Sequence, residues 1–231
     1  MVASFPRRRR SRRAYTLVEL LVVLGIIVLI AAITIPSISS VLRSYNLSGA
    51  AQATVGLLNS ARQDALTGNQ AVEVRFYELP DAVYPSTTVI RAVQAFQIGV
   101  PATGSTDTYT PLGKAYIFPT GIIVSSDTAN CSTLFNTTPG STFGISPLTP
   151  QIDTTNPLPP PYGLAPYYSF RFRPAGQTDL TPTPASVNGT PVSPILTIYS
   201  ENAPIVANGL PANFVTIQID VINGTVRSYQ P

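Results

Sequence analysis

The chain has 231 residues, a formal charge of +3, no histidine, no tryptophan and one cysteine, Cys131. Without histidine and with a single thiol, one chain cannot build a zinc centre, a Ser-His-Asp or Cys-His nucleophile system or an internal disulfide, and no metal site or cofactor is expected. Twenty-three prolines and only 11% charged residues describe a Pro, Ser and Thr-rich extracytoplasmic surface rather than a cytosolic enzyme. Cys131 is read as a free buried thiol in preference to an intermolecular bridge.

The basic excess is local. Arg7 to Arg10, Arg12 and Arg13 supply six of the fourteen basic residues, which leaves eight basic against eleven acidic residues from Tyr15 onward. No basic patch for nucleic acid survives if residues 1–14 are removed, so no nucleic-acid partner is expected. The arginines instead satisfy the positive-inside rule and hold the N-terminus in the cytoplasm. Directly after them, Tyr15 to Ile35 is an apolar run of 21 residues. At about 1.5 Å per residue it would reach about 32 Å as a helix, enough for the roughly 30 Å core of a bilayer. Its only charged side chain is Glu19, and an unpaired acid there costs roughly 2.5 to 3.5 kcal/mol, so a compensating partner is expected. An export signal or a plain anchor competes for the same residues, but an export signal has a shorter apolar region, and Ala31-Ala32-Ile33 is a poor cleavage site.

From Pro36 the pattern becomes periodic. Ile38, Val41, Tyr45, Ser48, Ala51, Val55, Leu58, Ala61 and Ala65 form one helical stripe, with Arg43, Asn59, Arg62 and Asp64 off it, so residues 36–67 are expected to continue the helix and cover a sheet. Gly68-Asn69 supplies the stop, and a kink or looser turn is expected around Gly25 and Pro36. Beyond it, residues 71–79 and 89–98 alternate and read as an antiparallel hairpin with one buried face. Leu112 to Phe118 and Ile122 to Ser125 are shorter strands. Between Asp127 and Pro166 periodicity gives way to Ser, Thr, Asn and Pro, which reads as a long insertion and the first site of proteolysis. Strands resume at residues 167–173, 195–199, 214–221 and 225–229, with Val215, Ile217, Ile219 and Val221 facing the helix and Asn223-Gly224 as a short hairpin turn. The fold class is α+β: a long N-terminal helix, first apolar and then amphipathic, packed on an antiparallel sheet within a β-rich domain of residues 71–231.

The run Ala14-Tyr15-Thr16-Leu17-Val18-Glu19 resembles the processing site of type IV prepilins and pseudopilins. In that family a basic leader ends at a small residue, an aromatic residue follows, and a glutamate is fifth in the mature chain. With Tyr15 first, Glu19 is fifth and Pro36 is twenty-second, where major pilins often carry proline. Ala14 stands where glycine is usual. At the other end, Phe172-Arg173-Pro174-Ala175-Gly176 and the Asn223-Gly224 hairpin are similar to minor pseudopilins of the H type, and more narrowly to the Verru_Chthon cassette protein D family.

The resemblance implies a leader of residues 1–14 cut between Ala14 and Tyr15 by a prepilin peptidase, N-methylation of Tyr15, and a pilin-like fold. It also implies assembly through Glu19 and Pro36 with other pilin or pseudopilin subunits at an inner-membrane assembly platform. The chain would be a structural subunit of a type II secretion pseudopilus or a type IV pilus-like filament, first single-pass in the bacterial inner membrane and then periplasmic or extracellular. The alternative is a membrane-anchored extracytoplasmic binding module or adhesin that does not polymerise. A hydrolase would need paired carboxylates, and Asp127, Asp153, Asp179 and Glu201 sit singly in loop-like sequence, so no enzymatic activity is expected.

Overall fold

The computed structural model describes residues 15–81, 85–99, 107–127, 131–135, 150–180, 186–187, 190–191, 193–204 and 211–230, with 33–40, 186–187 and 190–191 described in backbone only. Contacts divide the chain into two units, one up to Leu42 and one from Arg43 onward. Helix α1 runs from Leu17 to Gly68 and contributes to both. It ends where the sequence places the stop: Asn69 takes φ +48°, the left-handed cap conformation that asparagine tolerates better than most residues. Gly25 and Pro36 both lie inside the helix. The membrane-spanning reading of residues 15–35 falls partly on 33–35, whose side chains lie outside the described residues. Among the described residues no helix is long and apolar enough to cross a membrane.

In the second unit the helix buries Leu47, Ala50, Ala51, Thr54, Leu58, Ala61 and Ala65, in steps of three and four. The expected stripe is therefore right from Ala51 downward and wrong at its top. Val41 and Tyr45 are exposed, and Leu47 begins the packed face. Thr54 can be buried because its hydroxyl donates to the Ala50 carbonyl at 2.8 Å, which pairs the polar atom it brings into the core.

The strands are β1 (Val72–Pro80), β2 (Thr88–Gly99), β3 (Thr108–Pro111), β4 (Tyr116–Ile117), β5 (Ile122–Val124), β6 (Gln151–Ile152), β7 (Pro166–Phe172), β8 (Ser186–Val187), β9 (Thr190–Pro191), β10 (Ile195–Ser200), β11 (Phe214–Ile219) and β12 (Val226–Tyr229). One sheet has the order β3-β2-β1-β7-β6, with β4 also paired to β2; a second has β12-β11-β10-β5; β8 and β9 pair with each other. All these pairings are antiparallel. The expected strand over Leu112 to Phe118 shrinks to the two residues of β4, because residues 112–115 form the connection from β3, which ends at Pro111.

The main core lies among the lower part of α1 and the two larger sheets. Leu58 and Ala61 share it with Val74, Phe76, Phe170 and Phe172 of the first sheet and with Leu196, Ile198, Val215, Ile217 and Ile219 of the second. The alternation in β11 resolves as expected, with Val215, Ile217 and Ile219 buried.

The other face of the first sheet is not solvated. Glu73, Arg75, Tyr77 and Leu79 are buried there, and a second apolar cluster joins Tyr77, Leu79, Ala92 and Phe96 to Leu158, Ala165 and Tyr167. The cover comes from residues 150–166, the later part of the stretch read as a long insertion. This segment adds β6 to the edge of β7 and closes on itself through a Leu158–Gly163 bridge. Proline hides its packing pattern in sequence, because Leu158 and Ala165 reach the sheet from turns rather than from a periodic element. Residues 131–135 are also packed. Leu134 and Phe135 of a 3-10 turn are buried, and Ser132 accepts a hydrogen bond from the Thr197 amide at 3.2 Å. Residues 128–130 and 136–149 lie outside the described residues.

At the lower end of α1, two turns converge. Arg173 to Gln177 turns through Gly176 at φ +81°, with the Gly176 amide donating to the Arg173 carbonyl at 2.8 Å. The β11–β12 connection spans residues 220–225 rather than the two residues expected, because Asp220 accepts the Ile222 and Asn223 amides and winds the turn. Arg62 of α1 donates from Nε to the Asn223 carbonyl at 2.9 Å and ties the helix to that turn.

Candidate processing and assembly segment

Two of the residues singled out in the sequence, Tyr15 and Glu19, lie at the start of α1, Tyr15 just before it and Glu19 in its first turn. Thr16 caps the helix: its hydroxyl accepts the Glu19 amide at 3.2 Å, and Glu19 Oε2 accepts the Thr16 amide at 3.3 Å. This reciprocal pair is a capping box, in which two helix-terminal amides gain side-chain acceptors. It also places an anionic side chain in the first turn, where the helix dipole favours it. The Glu19 carboxylate thus has a local partner within the subunit. Thr16 escaped the sequence reading, although Thr16-x-x-Glu19 directly before an apolar run carries the signal.

Tyr15 is 84% exposed, beside this cap. Ala14 lies outside the described residues. From Leu17 to Ile30 the large apolar side chains are all exposed, on every face of the helix. Such a surface requires an apolar environment, either lipid or other helices. Glu19 is therefore positioned at the polar entrance of an uncovered apolar segment. Pro36 lies further along the same helix, and its side chain is outside the described residues.

A second concentration of charge lies on the covered face of the first sheet. Arg75 is fully buried. Its Nε donates to Glu73 at 2.7 Å and its Nη1 to Asp153 at 2.5 Å. The guanidinium carbon stands 4.1 Å from the ring centre of Phe96, 4.5 Å from Tyr109 and 4.4 Å from Tyr167. Nη2 makes no hydrogen bond among the described residues, and the rings supply cation–π contact instead. Arg171 extends the network to Glu73 at 3.1 Å and to Asp107 at 3.4 Å.

Burial opposes the charge on Asp153, but hydrogen bonds from Arg75, Asn156 and the Thr155 amide outweigh it and bring its pKa down to about 2. Burial first, against the opposing pull of Arg75, pushes the Tyr77 phenol up to about 12. Asp179 is pushed up by burial while it accepts the Arg171 amide at 2.7 Å. The structure thus assigns two of the loop acids specific partners: Asp153 holds Arg75, and Asp179 holds the β7 backbone. Cys131 is free and buried, its thiol pushed up by burial. Among the described residues no group of three His, Cys, Asp or Glu could hold a metal ion.

Residues 9–35 match a family model described as the Prokaryotic N-terminal methylation motif. No curated protein and no solved structure matches the chain. The match takes in Ala14, Tyr15, the Thr16–Glu19 cap and the described apolar turns of α1. The chain carries the prokaryotic N-terminal methylation motif at its basic and apolar N-terminal segment, and that motif supports a type IV pilin-like protein.

Proposed function

We propose that the chain is a non-enzymatic structural subunit of a pilin-like filament, either a type II secretion pseudopilus or a type IV pilus-like fibre. The observation that carries this reading is the methylation-motif match over residues 9–35, a span that includes Tyr15 and Glu19. A prepilin peptidase cuts between Ala14 and Tyr15 and the new amine is methylated. The apolar segment from Tyr15 to Ile35 is stored in the inner membrane, with the arginine leader cytoplasmic and the β-rich part across the membrane. On assembly the apolar helices bundle, and the Glu19 carboxylate pairs with the Tyr15 amine of a neighbour. That exchange replaces part of a local cap with a charge pair in an apolar core, which fixes register. Pro36 removes one helix hydrogen bond at the lower edge of this segment and so eases bending there.

Co-expression with a prepilin peptidase, followed by intact-mass analysis of the membrane-extracted protein, tests the reading. The expected product begins at Tyr15 and carries one methyl group. An uncut chain, or one cut near Ala32, would instead mark an anchored module or an export signal.

A further inference from the structure

Along the core-facing side of β1 the side chains run Val72, Val74, Phe76 and then Glu78. The first three are buried in the main core. The fourth position on the same face carries a carboxylate, where the pattern calls for an apolar side chain. The irregularity between Tyr77 and Glu78 does not reverse the face, since the unpaired residue, Arg91, is on β2.

The packing opens around Glu78 into a cavity of about 200 Å³ between the ends of β1 and β2 and strand β5. Val124 and Phe135 are buried at its floor, Glu78 and Tyr168 are half-buried in its wall, and Thr88 and Ser126 are exposed at its rim. Phe135 is fixed by its neighbours, with ring centres 5.3 Å from Phe76 and 5.6 Å from Tyr168. The Tyr168 phenol is pushed up in pKa, first by burial and then by the Glu78 carboxylate, which accepts its hydrogen bond. The cavity is thus closed at an apolar and aromatic floor, open at a hydroxyl-bearing rim, and carries one carboxylate in its wall.

This lining discriminates between ligand classes. An anion would meet Glu78 and be repelled. A purely apolar group would cover the carboxylate without replacing its water, which is costly. A cation on a short aliphatic stem satisfies both parts: methylenes lie against Ile90, Val124 and Phe135, and the charge meets Glu78 beside aromatic rings. We propose that this cavity binds a primary alkylammonium group, of the kind presented by a lysine side chain of a partner protein or by a free aliphatic amine. The site is independent of the processing segment and of whether the chain assembles.

The full chain in detergent micelles is titrated calorimetrically with Nα-acetyl-lysine N-methylamide, with n-butylammonium and with n-butanol. Both ammonium compounds are expected to bind saturably, with n-butanol weaker by about tenfold or more, since it lacks the charge that pairs with the carboxylate. Tighter binding of the lysine derivative assigns the site to a partner's lysine, and tighter binding of n-butylammonium assigns it to a free amine. Glu78→Gln is expected to weaken ammonium binding about tenfold while leaving the circular dichroism spectrum unchanged. Should that variant fail to fold, Ser126→Tyr at the exposed rim blocks the entrance and is expected to abolish binding. No saturable ammonium binding, equal binding of n-butanol, or full binding by a folded Glu78→Gln or Ser126→Tyr protein overturns the proposal.

Discussion

At Asp153, burial and pairing act in opposite directions on one carboxyl, and pairing wins. Its pKa of about 2 lies below the unfolded value of about 3.9, so the stability it contributes is present above about pH 4 and is lost as pH falls towards 2. Asp153→Asn is expected to lower stability by about 2 kcal/mol at pH 7, with a difference from the parent chain that narrows between pH 4 and pH 2 in urea titrations. A gap that stays constant with pH would mean that the side chain acts by shape alone. Gly224 is a second single-residue determinant. It sits at φ +67°, and a Cβ there would fall against the Gly176 carbonyl well inside contact distance, with Phe172 and Arg62 on its other sides. Gly224→Ala should therefore cost more than about 1 kcal/mol, read as a lower thermal midpoint, because both the backbone conformation and the space are unsuited to a side chain.

At the scale of elements, the lower half of α1 is held by a narrow row of small and medium side chains. Leu47 and Leu58 are the large members, both fully buried in the main core. Leu58→Ala is expected to cost about 2 to 5 kcal/mol in chemical denaturation, whereas Val41→Ala, at an exposed position, should be close to neutral. This element also shows what sequence can disclose. Periodicity located α1, its Asn69 stop, the β1–β2 hairpin, and the buried set of β11, because each repeats a local pattern that burial then satisfies. It failed at Val41 and Tyr45, since an apolar stripe does not say where the surface that covers it begins. It failed again at residues 150–166, where Leu158, Ala165 and Asp153 act from irregular backbone. The buried Glu73–Arg75 pair looked like a solvated face for the same reason: alternation with charge marks a half-exposed strand unless another segment caps it. Glu19 stands in the first turn of α1, and its Thr16 partner is written in the sequence as a capping pattern beside the longer motif.

At the scale of the molecule, the large apolar side chains from Leu17 to Ile30 are exposed, and the proposed assembly is the way they are covered outside lipid. Glu19→Ala makes the segment more apolar, so insertion and cleavage are expected to persist. Removing one partner of a buried charge pair costs about 3 to 5 kcal/mol, so the variant should be missing from sheared filament fractions, and Glu19→Asp should rescue poorly. Normal incorporation of Glu19→Ala would show that the carboxylate is not the assembly contact. The tie between Arg62 and Asn223 has a consequence in time as well as in space. Its partners are 161 positions apart. A contact of such separation closes one of the longest loops in the chain, and its entropic cost falls due before the contact gives anything back. In the proposed topology, a chain fed across the membrane behind its apolar segment would present the lower part of α1 long before residues 220–225 emerge, so the helix end would wait unlatched through most of translocation. On that route, completion of the β-rich unit would be set by the arrival of its final turns, and export and folding would proceed as successive events.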